Sequence, residues 1–276
     1  MLFRLAALKQ FYAVALLIGG LGVSSNLHAA SHLEALERAG ENRAEIETFL
    51  ELARSQYGDL GGRSAEFLVT YMPDKDLESL DSSFLVENLK FALKARSEMP
   101  WGEQVPEDLF FNDVLPYASL DESRERWRSV LYEKAKGMVA GAKSISEAVQ
   151  TLNRELFNDI NVHYNTGRKR PNQSPQESIN QGRATCTGLS IILVDACRAV
   201  GIPARVTGTP LWTNNRGNHT WTEIWDGAWF FTGSDEYDAK GLNRGWFVGA
   251  ASKADITSPK YSIYSSSWKT ADGATV

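Results

Sequence analysis

Cys186 is the residue whose type and setting point most directly to chemistry. It stands in the run Gly182-Arg183-Ala184-Thr185-Cys186-Thr187-Gly188-Leu189, ahead of an apolar stripe (Leu189, Ile192, Leu193, Ala196, Val200) that Gly201-Ile202-Pro203 terminates. That spacing predicts a helix over 186–200 with Thr185 at its N-cap. A thiol in the first turn of a helix meets the positive end of the dipole and N–H groups without intrahelical partners. Both favour the thiolate, and the same N–H groups can receive the oxyanion of an attacked carbonyl. Cys197 falls mid-helix on the apolar side and reads as a small buried residue. The two thiols would lie ~16 Å apart along one helix, beyond the ~7 Å a disulfide tolerates, so both are expected to be free.

A thiolate nucleophile needs a base. After residue 30 the sequence offers His32, His163 and His219. His32 opens a helical pattern near the N-terminus, and His163 lies in a polar loop, where it reads as a surface residue. His219 begins the strictly alternating run His219-Thr220-Trp221-Thr222-Glu223-Ile224-Trp225, a strand pattern, and is the candidate base. No metal-ligand spacing, glycine-rich phosphate loop or dinucleotide fingerprint occurs, so neither metal nor organic cofactor is expected.

The elements that must position these residues change character along the chain. Helical patterns run over 32–57 (stopped by Gly58 and Gly61-Gly62), 65–71, 85–96, 124–139 and 146–157, the last preceded by a capping signal at Ser144 and Glu147. A polar, turn-rich stretch over 165–175 leads to the cysteine helix. Strand patterns follow at 204–209, 219–225, 228–232 and 261–265, with Asp226-Gly227 as a hairpin signal. The layout is α+β. A helical N-terminal region over 30–145 is expected to precede a core over 146–270.

Composition is that of a globular protein, with 43% hydrophobic and 23% charged residues and a net charge of −5. No basic run exceeds Arg168-Lys169-Arg170, so no nucleic-acid surface is indicated. Residues 1–29 have the layout of a secretory signal: Arg4 and Lys9, an apolar stretch over 11–23, then small and polar residues up to Ala29-Ala30. The stretch is shorter than the ~20 residues a spanning helix needs. A periplasmic or secreted mature chain without a transmembrane segment is expected.

The order Gly-x-x-x-Cys, Gly201-Ile202-Pro203-Ala204-Arg205, His219-x-Trp221-x-Glu223 and Gly227-x-Trp229 resembles the transglutaminase-like superfamily over roughly residues 160–250. Asn112 to Tyr117, Asp195 to Arg198 and Arg244 to Phe247 are similar to a bacterial subgroup of exported transglutaminase-domain proteins. The resemblance implies a papain-like core with the nucleophile helix packed on an antiparallel sheet, and a Cys–His–acid triad of Cys186, His219 and a carboxylate. The family acid falls four residues after the second-strand tryptophan, which here is Gly233; Asp235 and Glu236 follow. With a two-residue turn at Asp226-Gly227, His219 faces Ser234 and Glu236 lies on the histidine's face. With a loop one residue longer, His219 faces Asp235. The subgroup favours the acid at Glu236, and both remain candidates.

The resemblance further implies a cysteine-dependent hydrolase or acyltransferase that acts on peptide or glutamine-type amides through a thioester, with a protein or peptide substrate. Gln181 is a candidate side-chain oxyanion donor, and Trp212 a candidate for lining the cleft. Glu223 reads as half of a cross-strand ion pair. The alternative is a binding or scaffolding module that kept the fold and lost turnover, a reading motivated by the displaced acid.

Overall fold

The computed structural model describes residues 31–269; the signal layout expected over residues 1–29 lies outside them. Among the described residues, no helix is long and apolar enough to cross a membrane.

Among the described residues, the first three helices longer than four residues share one core. α1 (His32–Arg38) opens with a capping box between Ser31 and Glu34. α2 (Arg43–Thr70) is broken at Gly58, whose φ of 64° lies outside the range that side chains favour. The glycine run therefore kinks the helix instead of ending it. A Cβ at Gly61 would lie 2.4 Å from the Ala53 carbonyl oxygen, so the bend closes only around a glycine. α3 (Ser82–Glu98) starts where the Asp81 carboxylate accepts from the Phe84 N–H at 2.7 Å. Ile46, Phe49, Leu68, Leu85 and Leu89 fill the core between these helices.

A second core is built by α4 (Trp127–Val139), α5 (Ile145–Asp159) and the helix that carries Cys186. Ser144 caps α5 by accepting from the Glu147 N–H. The polar stretch carries no helix or strand over 165–174, but short elements flank it. His163–Tyr164 (β1) pairs in parallel with Arg183–Ala184 (β2), and between them lies α6 (Pro175–Gln181), which opens on a capping box of Ser174 and Glu177 with proline at its start.

The cysteine helix, α7 (Cys186–Ala199), packs against β3 (Ala204–Thr209) and β4 (His219–Trp225). These belong to a four-stranded antiparallel sheet completed by β5 (Trp229–Thr232) and β6 (Tyr264–Ser265), in the order β5-β4-β3-β6. β5 and β6 are shorter than their sequence patterns. The chain is thus α+β, a helical N-terminal region followed by a helix-on-sheet core.

Two buried arginines join the two cores. Arg198 of α7 donates to the carbonyls of Asp113, Ala118 and Ala204 at 3.0–3.1 Å. Arg128 of α4 donates to the Asn88 side chain and to the carbonyls of Val114, Leu115, Pro116 and Arg198. Each guanidinium spreads its fork over several carbonyls, which offsets much of the cost of its burial. The segment from Asp113 to Ala118 is thereby fastened to the back of α7.

Candidate active site

Thr185 occupies the N-cap position of α7 in an extended conformation, with ψ of −179°, but its side chain makes no capping bond. The first-turn N–H groups are therefore left to another acceptor, which is what an oxyanion site on this helix requires. Cys186 is the first helical residue and is half-buried. Cys197 is fully buried, and loss of hydration pushes its thiol far above its usual range. Both cysteines are free, as their spacing implied.

Hydroxyl contacts tie α7 to β4. Thr187, next to Cys186, shares a hydrogen bond of 3.1 Å with Thr220, next to His219. One turn further along, Thr222 bonds Ser234 at 2.9 Å, and Ser234 donates to Ser190 at 3.2 Å. Thr220, Thr222 and Ile224 thus face α7, and strand alternation turns His219, Trp221 and Glu223 to the opposite face.

His219 is only 4% exposed and lies among aromatic rings, with centroids 4.6 Å from Phe247, 4.7 Å from Trp246 and 6.0 Å from Trp221. Its Nε2 is buried without a hydrogen-bond partner. Burial penalises the charged form and pushes the imidazole down to about 4, so the ring is neutral at neutral pH.

The two acids are placed differently. The β4–β5 loop holds three residues, Asp226 to Ala228, because Trp225 pairs with Trp229. Extending that register sets Asp235 opposite His219. The strand, however, ends at Thr232, and Asp235 takes a left-handed conformation with φ of 64°. Its carboxylate turns to His163, with Oδ2 3.0 Å and Oδ1 3.2 Å from Nδ1. His163 is therefore in a short strand with a charged partner, not the loop residue its polar surroundings suggested. Asn153 holds the Asp235 turn: its side chain donates to the Gly233 carbonyl and accepts from the Asp235 N–H.

Glu236 folds back over Gly233. A Cβ built on Gly233 would stand 2.1 Å from Glu236 Oε2 and 2.7 Å from the carboxyl carbon. In the same register Gly233 falls opposite Trp221 and so shares the face of His219. The carboxylate of Glu236 thus occupies the space that a side chain at residue 233 would fill. Its Oε1 accepts from the Trp246 indole N–H at 3.1 Å. The residue as a whole is exposed, but shielding of the folded-back carboxylate raises its pKa, and the indole N–H opposes that rise.

Other expected contributors are placed elsewhere. Gln181 is committed to structure: its oxygen accepts from the Lys169 N–H and its nitrogen donates to the Glu177 carbonyl. This corrects its candidacy as an oxyanion donor. Trp212 is buried against Trp221 and Phe247 and does not line a cleft. The exposed aromatic residue beside the histidine is Trp246, 67% exposed. Glu223 pairs with Arg205 across β3 and β4 at 2.7 Å, as the strand pattern implied.

Residues 132–247 match the model of the transglutaminase-like superfamily. The span runs from α4 to Phe247 and holds Cys186, His219, Asp235 and Glu236. Among solved structures, the chain is similar to a Cytophaga hutchinsonii protein provisionally described as a cysteine protease. The identity is 23% and the TM-score 0.36, over 56% of this chain and 52% of that one. The chain therefore spans about half the length of that protein. No curated protein matches the sequence.

Proposed function

We propose that the protein is a cysteine-dependent hydrolase or acyltransferase that acts on peptide or glutamine-type amides, with Cys186 as nucleophile and His219 as base. The observation that carries this reading is the position of Cys186 at the uncapped first turn of α7, tied through Thr187 and Thr220 to the strand that His219 opens. His219, neutral in its aromatic pocket on the sheet face opposite α7, leaves that pocket for the helix start to take the thiol proton. Sγ then attacks the carbonyl carbon, and the oxyanion is received by the Cys186 N–H and its first-turn neighbours. Collapse of the tetrahedral intermediate breaks the C–N bond. The amine leaves with the proton that His219 returns, and Cys186 is left as a thioester. Water then gives an acid, or a second amine gives a new amide. Hydrolysis is the favoured outcome in a dilute exported setting.

Glu236 is assigned as the third member, because its carboxylate fills the place of a side chain at Gly233 on the histidine's face. Asp235 is assigned to His163. Residues 1–29 are assigned as a signal peptide that delivers the mature chain to the periplasm or the medium, 30–145 as a helical region and 146–270 as the catalytic core. Incubation with a glutamine-containing peptide or a p-nitrophenyl ester, followed by mass spectrometry, tests the chemistry. An acyl adduct on Cys186 that is lost in Cys186→Ala supports it. Turnover that persists in Cys186→Ala refutes the nucleophile and favours a binding module or another site.

A further inference from the structure

Three observations at the candidate site fit together only if the acid and the base are held apart. The imidazole Nε2 is buried without a partner. The carboxylate on its face, Glu236, gives Oε1 to the Trp246 indole N–H. The ring of the same tryptophan covers the imidazole at 4.7 Å while 67% of the residue is exposed to solvent.

The segment around Trp246 is fixed on both sides. Arg244 pairs with Asp238 at 2.9 Å, and Asn243 exchanges two hydrogen bonds with the backbone of Phe231. Phe247 is 1% exposed against Trp221. Gly245 cannot carry a side chain there, since a Cβ would meet the Phe247 ring at 2.6 Å. Between these anchors the Trp246 side chain can rotate away at the cost of one hydrogen bond and its ring contacts with His219 and Phe247, with no movement of the backbone. Asp235 cannot replace Glu236 at the imidazole, because both of its oxygens face His163.

We propose that Trp246 is a positioning residue that keeps Glu236 off His219 until a substrate displaces the indole, whereupon the carboxylate passes to the imidazole. The proposal rests on His219 being the base, but its test does not require turnover.

The experiment is a titration of His219 by heteronuclear NMR on the folded protein, in the wild type, Trp246→Phe, Glu236→Gln and the double variant. Phenylalanine keeps a ring and removes the N–H. Trp246→Phe should raise the His219 pKa by about one unit or more, as expected when a carboxylate gains an imidazolium partner. Glu236→Gln should leave the wild-type value unchanged and cancel the rise in the double variant. An unchanged His219 titration in Trp246→Phe, or a rise that Glu236→Gln does not cancel, overturns the proposal. Trp246→Leu, which also lacks the donor, serves as a second release variant, held to the same outcomes, should Trp246→Phe fold poorly by thermal melt. A responsive His219 in a protein that forms no acyl adduct on Cys186 supports the positioning role and removes the proposed reaction alone. An active enzyme with an unresponsive His219 removes the positioning role alone.

Discussion

Replacing Glu236 by glutamine tests which carboxylate serves the imidazole. In the proposed reaction, proton transfer from Cys186 creates an imidazolium in a pocket that holds the ring at about 4, against an ordinary 6.5. That gap corresponds to about 3 kcal/mol against the charged form, or on the order of 300-fold in rate if nothing offsets it. A carboxylate brought to the ring is the natural offset, and the one on its face is Glu236. Glu236→Gln should therefore slow acylation on the order of 10²-fold, with little change in substrate affinity. Asp235→Asn should cost less than about threefold, because that carboxylate is committed to His163. The assay is single-turnover acylation by p-nitrophenyl acetate at pH 7, monitored by the nitrophenolate burst. Glu236→Ala combined with Gly233→Asp supplies a control. The new aspartate enters the space that Glu236 vacates and should recover part of the rate. A Glu236→Gln enzyme within threefold of wild type, or a larger loss in Asp235→Asn, refutes the assignment.

Asp113 is 2% exposed, and burial raises its carboxyl from 3.8 to about 6. The folded state then binds a proton more tightly than the unfolded chain, so stability from this group is lost as pH rises from about 4 to about 6. Asp113→Asn should stabilise the protein by up to about 3 kcal/mol above pH 6 and by little below pH 4, measured by thermal melts across that range; a gain that does not vary with pH contradicts this. Export predicts a mature N-terminus near Ala30 in the periplasmic or secreted fraction. Intact mass decides it, and a full-length cytoplasmic product contradicts the signal-peptide assignment.

What could be read from the sequence was local. The bounds of β3 and β4 follow from strict alternation, and the end of the cysteine helix from Gly201-Ile202-Pro203, where Gly201 has φ of 74°. The capping box at Ser174 and Glu177, with Pro175 between them, is likewise a local signal, set at the end of a polar stretch. Other features depend on distant partners. Gly58 stops a helix by local propensity, but packing of the two halves of α2 against one core turns the stop into a kink. Strand parity orders the side chains only as far as Thr232, where β5 ends and Asn153 turns the chain ahead of the two acids. The pairing of His163 with Asp235, separated by 72 positions, carries no local signal. The match of Glu236 to the space at Gly233 is visible only in three dimensions.

The central claim is that Cys186 carries an acyl group, and direct capture tests it. The wild-type protein, incubated briefly with an acyl donor and quenched in acid, should show one added acyl mass. Peptide mapping should place it on Cys186, with hydroxylamine releasing it as a thioester. His219→Ala should form the adduct far more slowly, and Cys186→Ala not at all. An adduct on another residue, or turnover that survives Cys186→Ala, would contradict the account.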